Sequence, residues 1–153
     1  MTHVKTQVRE GFIRVLSALP DLVSAHPASR LLRSFQRNDF PLAIVSVSET
    51  ASVSGSNGTP GNRQLKRDFQ IAVTLSVHDE TPNAEHALDA LSVVSEQALV
   101  KPSALGVGKL LSWQYLGSGA PTGQPTEDGL ILTQTLNYSC SVRTTDSDPT
   151  TIL

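Results

Sequence analysis

An α+β domain is predicted, with two helices packed on one face of a mixed, largely antiparallel sheet of four to five strands. Three observations carry that expectation. From Leu65 to His78, Leu65, Phe69, Ile71, Val73, Leu75 and Val77 take every second place apart from Arg67, with Lys66, Asp68, Gln70, Thr74, Ser76 and His78 between them. A second alternating run spans Leu130 to Arg143, with Leu132, Leu136, Tyr138, Cys140 and Val142 on its apolar side. Period two places one side of a strand on a core and the other toward water or a partner. Two further segments repeat apolar residues at three and four, the mark of an amphipathic helix.

The first helix is carried by Val4, Val8, Phe12, Val15, Leu16 and Leu19, and Pro20 ends it. The segment from Asp21 to Asn38 has no decisive period. If it were helical, Arg30, Arg33 and Arg37 would share a face suited to phosphate or an acidic partner. A short edge strand followed by a solvated loop is the reading that the missing period favours. Phe40-Pro41 then leads into Leu42 to Ser48, a nearly continuous apolar run with proline at its entrance, which reads as a buried strand. Glu49 to Arg63 is rich in Ser and Gly and contains Asn57-Gly58, a hairpin signal; the expectation is a mobile, solvent-facing tip ordered by a partner. It lacks the Gly-Lys-Ser/Thr ending of a phosphate loop, since Asn62-Arg63 follows Gly61.

The strand from Leu65 to His78 poses a length problem. Fourteen residues extend to roughly 46 Å, well beyond the ~15 Å radius of gyration of a domain this size. It should bend at a bulge or project as an arm toward another subunit. After it, Thr81 is the expected N-cap of the second helix and Pro82 its first residue, with Ala84, Leu88, Leu91, Val94 and Ala98 as its buried stripe and Pro102 as its stop. Leu110 to Leu116 is the next strand, with Leu111, Trp113 and Tyr115 on one face. Gly117 to Gly129 reads as a breaker-rich loop, and Thr144 to Leu153 as a mobile tail after a single domain covering 1–143.

At 153 residues the chain can bury ~70% of its unfolded surface without staples. A net charge of −2 supplies no basic field for nucleic acid or an anionic membrane, and no apolar run approaches the ~20 residues of a membrane span. The single cysteine, Cys140, excludes an internal disulfide and sits on an apolar face as a small core residue. The first residues lack the apolar stretch of a secretion signal, so a cytoplasm-like compartment is expected. His3, His26, His78 and His86 fall in no zinc or metalloprotease spacing, and Gly117-Ser118-Gly119 is not a nucleophile elbow. Enzyme activity and a resident cofactor are therefore not expected. Asp79, Glu80 and Glu85 crowd the start of the second helix. Favourable interaction with the helix dipole explains them, and a weak oxygen-ligand magnesium site shared between subunits is the alternative.

The order of elements and several short words resemble the tail terminator proteins of lambda-like long-tailed phages, the minor tail protein U family. The words are Asn38-Asp39-Phe40-Pro41 running into Leu42-Ala43-Ile44-Val45, the polar loop before the alternating strand around Asp68 to Val77, Leu88-Asp89-Ala90-Leu91, and the last strand pair. The resemblance spans about Val4 to Arg143. It implies a ring of six copies on the head-proximal end of the tail tube, in the virion and, before assembly, in the host cytoplasm. The partners it implies are the chain itself, the major tail tube protein and a head-completion or neck protein, with DNA passing through the lumen unread. By position it assigns contacts to Ser54, Asn57, Arg63, Lys66, Arg67 and Asp68, and a magnesium-assisted ring contact to Glu85. Another head–tail connector subunit is the nearest alternative, and a small ligand-binding module or enzyme the more distant one.

Overall fold

The structure is a computed structural model and describes residues 1–29, 35–55 and 58–153. The elements follow in the order α1 (Val4–Ser17), β1 (Ser24–Pro27), a 3₁₀ turn (Arg37–Asp39), β2 (Leu42–Ser54), β3 (Gln64–Asp79), α2 (Thr81–Ala98), a second 3₁₀ turn (Pro102–Leu105), β4 (Ser112–Ser118), β5 (Thr122–Thr126) and β6 (Gly129–Thr145). Among the described residues the sheet has six strands, in the order β1-β2-β3-β6-β4, with β5 also paired to β6. Only β1 is parallel to its neighbour; every other pairing is antiparallel. The class is the predicted α+β, and the sheet exceeds the expected four to five strands because β5 forms inside the segment read as a loop. Gly and Pro occupy two of its five positions, and its pairing comes from the hairpin with β6.

Both helices lie on one face. Val4, Val8, Phe12 and Leu16 of α1 are buried together with Phe69, Ile71, Val73 and Leu75 of β3 and Leu136, Tyr138, Cys140 and Val142 of β6. Phe12 stacks on Trp113 at 5.4 Å and meets the edge of Tyr138 at 5.6 Å, so aromatic contacts join α1 to β4 and β6. In α2 the stripe is Ala84, Leu88, Leu91, Ser95 and Leu99; Val94 and Ala98, expected within it, flank it half-buried. The helix also starts one residue earlier than expected, with Thr81 as its first residue and the backbone carbonyl of Glu80 accepting from Asn83 and Ala84.

The long central strand neither bulges nor stands alone. β3 runs in unbroken register from Gln64 to Asp79 against β6 and from Gln64 to Ser76 against β2. Its neighbours are of comparable length, at 13 and 17 residues against 16, so the three strands run side by side instead of one arm leaving the domain. The polar loop is correspondingly shorter than expected, because Glu49 to Ser54 pair with Gln64 to Phe69 as strand. At the opposite end, Gly129 makes the turn into β6 at φ +153°. A side chain there would lie 2.6 Å from the carbonyl oxygen of Asp79, which only glycine avoids.

The segment after Arg143 is also held in place. Thr144 and Thr145 belong to β6, Leu153 N–H donates to Arg143, and Val4 N–H donates to Pro149. Gln7 Nε2 reaches the Thr150 carbonyl at 2.7 Å, while Ile152 packs on the core. The tail read as mobile closes the N-terminal end of α1 because its backbone finds these partners.

Candidate functional site

Strand alternation divides the functional side chains between two faces. Odd positions of β3 turn toward the helices, and even positions turn away. The helix-free face carries Ser46, Ser48, Thr50 and Ser52 from β2, Gln70, Ala72 and Thr74 from β3, and Thr133, Thr135, Asn137 and Ser139 from β6. Hydroxyl groups pair across strands there: Thr74 with Thr135 at 3.2 Å, Ser76 with Thr133 at 3.1 Å, and Ser112 with Ser141 at 3.0 Å. Serine, threonine and amide side chains carry no formal charge, so the middle of this face is polar and neutral. Its charged groups, Lys66, Asp68 and Arg143, sit near the hairpin end, where Lys66 pairs with Asp68 at 3.4 Å and Asp68 accepts from the Ser141 hydroxyl. That exposed ion pair contributes little to stability.

The predicted contact residues do not form one patch. Ser54 and Arg63 line a hollow of about 260 Å³ at the hairpin tip, together with Gly58 and Asn62. Asn57 lies outside the described residues, as do Arg30 and Arg33. Lys66 and Asp68 stand on the helix-free face. Arg67 points the other way and is consumed inside the chain: it is buried, with Nη1 3.1 Å from Glu49 Oε1 and Nε 2.8 Å from Thr144 Oγ1. A guanidinium so enclosed is a structural tie, which corrects its assignment as a surface contact.

Asp79, Glu80 and Glu85 do not converge either. Asp79 Oδ1 accepts the Glu80 N–H at 2.8 Å, and Glu85 lies beside Asp89 and Leu88 in a separate depression. Among the described residues, no three His, Cys, Asp or Glu side chains are grouped to hold a metal ion. Within one chain the acidic run is therefore a helix entrance.

Several features were missed from sequence. Asp146, read as tail, accepts from Gly61 N–H at 2.9 Å and Arg63 N–H at 3.1 Å, and so clamps the base of the hairpin loop. Arg63 Nε closes the loop from within by donating to the Gly58 carbonyl. Arg37 bonds Asp128 at 2.8 Å, tying the first 3₁₀ turn to the β5–β6 turn, and that contact holds the Asp128 carboxyl below its ordinary range. His78 joins the same corner through Thr126 Oγ1 at 2.9 Å. On the helix side, Trp113, Tyr115, Tyr138, Leu99 and Val100 line a groove of about 330 Å³, and the Tyr115 hydroxyl donates to Glu96 across it. Burial raises the hydroxyl pKa of both tyrosines, with Glu96 adding to the effect.

Cys140 faces the core as expected, and burial pushes its thiol up to about 12. A raised folded-state value means that the folded chain keeps the proton. Its stabilising contribution is complete below the unfolded thiol range near ~8.5 and is lost as the pH rises toward about 12. The native protein is expected to resist thiol reagents at pH ~8 and to react once denatured, which a colorimetric thiol assay reads directly.

Fold and surface together define an α+β domain with a helix-covered face and a bare, hydroxyl-rich face. No family model matches the chain, and no curated protein does. No helix among the described residues is long and apolar enough to cross a membrane.

Proposed function

We propose that this chain is a structural ring protein that ends the tail tube of a long-tailed phage, as its resemblance to the tail terminators implies. The observation that best supports this reading is the helix-free face of β2, β3 and β6, whose neutral middle stands exposed at Ser46, Ser48, Gln70 and Asn137. Around a closed ring that face would line the lumen. Lysine or arginine there would hold phosphates and release counterions; a neutral hydroxyl surface lets a duplex slide. Six copies of four strands would make a 24-stranded wall, beyond the ~16–18 strands that already enclose an aqueous channel. Helices then face outward, and the hairpin tip around Ser54 and Arg63 meets the tube or the neck protein. Bridging by magnesium between copies at Asp79, Glu80 and Glu85 belongs to the same proposal.

The test is tube capping. Added to polymerising tail tube protein, the chain should stop growth and appear at one end of each tube in negative stain. Replacing residues 55–63 by a short Gly-Ser turn should leave the fold intact and abolish capping or head attachment. Tubes that grow unchanged with the wild-type chain would remove this reading. A connector subunit would instead bind the portal side.

A further inference from the structure

We infer that the open edge of β2, at Val47 to Thr50, pairs antiparallel with Ser112 to Tyr115 of β4 in a second copy of this chain, so that the sheet continues from subunit to subunit. The inference rests on the ring reading and adds the interface that would close it.

β1 covers only Leu42 to Val45 of β2, and no other described strand pairs with its outer edge. The Val45 carbonyl accepts from Ala28 on that side. Backbone groups alternate along a strand, so the N–H and C=O of Val47, Glu49, Ala51 and Val53 also point outward, four donors and four acceptors without a strand beside them among the described residues. Soluble proteins blunt such an edge with proline, lysine or a bulge. This stretch has none of them, and its only charge, Glu49, is turned inward to Arg67.

The complementary edge belongs to β4. Ser141 and Thr135 of β6 accept from Leu111 and Gly119, which turns the backbone groups of Trp113 and Tyr115 away from β6. Beyond Tyr115 a bulge interrupts the register, so the regular edge is the first half of the strand.

Three geometric facts join these edges. First, β2, β3, β6 and β4 alternate in direction. With an even count, a copy placed by rotation about an axis along the strands brings its β2 antiparallel to β4, as a head-to-tail ring requires. Second, the edges lie at one height, because the register runs in a row from Val47 through Ile71 and Tyr138 to Tyr115. Third, Val47 and Val53 project on the helix side, where β4 is bordered by the groove between it and the end of α2. Tyr115 and Val100 are 40% and 65% exposed, and a second copy's Val47 beside them would cover both.

Val47→Pro is the decisive variant. It deletes the outward N–H that faces Tyr115 while the β2–β3 bonds, made by the even-numbered residues, remain, and proline is tolerated at an edge of this kind. Val47→Ala, which trims the same side chain and keeps the N–H, is its control. Sedimentation of the wild-type chain should show an assembly, and Val47→Pro should raise the midpoint concentration for assembly about tenfold or more over Val47→Ala, one contact being worth that factor, with unchanged circular dichroism. In the assembled wild type, amide exchange should slow at Val47 and Glu49. Ser48→Cys with Gln114→Cys, residues of one row on the helix-free face, should oxidise to covalent multimers, while each single variant stays uncoupled. Val47→Pro assembling as Val47→Ala does, or Ser48→Cys alone giving covalent dimers, would overturn the pairing and leave tube capping standing. A wild-type chain that stays monomeric at every concentration overturns the pairing too, and failure to cap tubes as well overturns the ring.

Discussion

Phe12→Ala is expected to cost about 3–5 kcal/mol of folding stability, the range for emptying a buried aromatic site. Phe12 is fully buried where α1 meets the sheet, against Trp113 and Tyr138. Those rings belong to β4 and β6, whose backbones are fixed by pairing, so the site cannot collapse around the missing ring. The loss therefore includes a cavity as well as transfer free energy. Urea denaturation should show a lower midpoint at unchanged slope. Phe12→Leu keeps most of the volume and should cost less than half as much. A loss under ~1 kcal/mol in the alanine variant would mean that α1 is not seated as described.

Glu49→Ala is expected to destabilise by about 2–3 kcal/mol. Breaking a buried pair typically costs ~3–5 kcal/mol, and the figure here is reduced because the Glu49 side chain keeps 19% exposure against 8% for Arg67. The variant leaves the Arg67 guanidinium enclosed with Thr144 as its remaining side-chain partner. Replacing both members, Glu49→Leu with Arg67→Met, should recover most of the loss, since a well-packed apolar pair avoids desolvation altogether. A double-mutant cycle in urea measures both numbers. If Arg67→Met alone were neutral for folding and abolished assembly, Arg67 would be the surface contact first expected and the buried tie would be wrong.

The elements that sequence displayed are those whose signal is local. Alternation from Leu65 to His78 and from Leu130 to Arg143 located both long strands, and the three-four spacing from Val4 to Leu16 located α1. β5 escaped because its partner strand, not its own composition, makes it a strand. The end of β2 escaped for a related reason: Glu49 to Ser54 are mostly small and polar, and only pairing with β3 extends them. Arg67 interrupted the apolar alternation, which is the trace of a buried cation; nothing near it in sequence identified Glu49 and Thr144 as its partners. The Asp146 clamp joins residues 83 and 85 positions apart, a distance at which residue spacing carries no information. Ser54, Lys66 and Asp68 were chosen by position along a resemblance, and the fold spreads them between a hollow and a face.

The central claim is that copies of this chain close into a ring around a neutral lumen. Its most direct test is the mass of the assembled wild-type protein, by light scattering over a wide concentration range with and without millimolar magnesium, and imaged in negative stain. The account predicts a closed annular species of about 98 kDa, six times 16.3 kDa. A terminal dimer, or a monomer at every concentration that also fails to cap tubes, would contradict it.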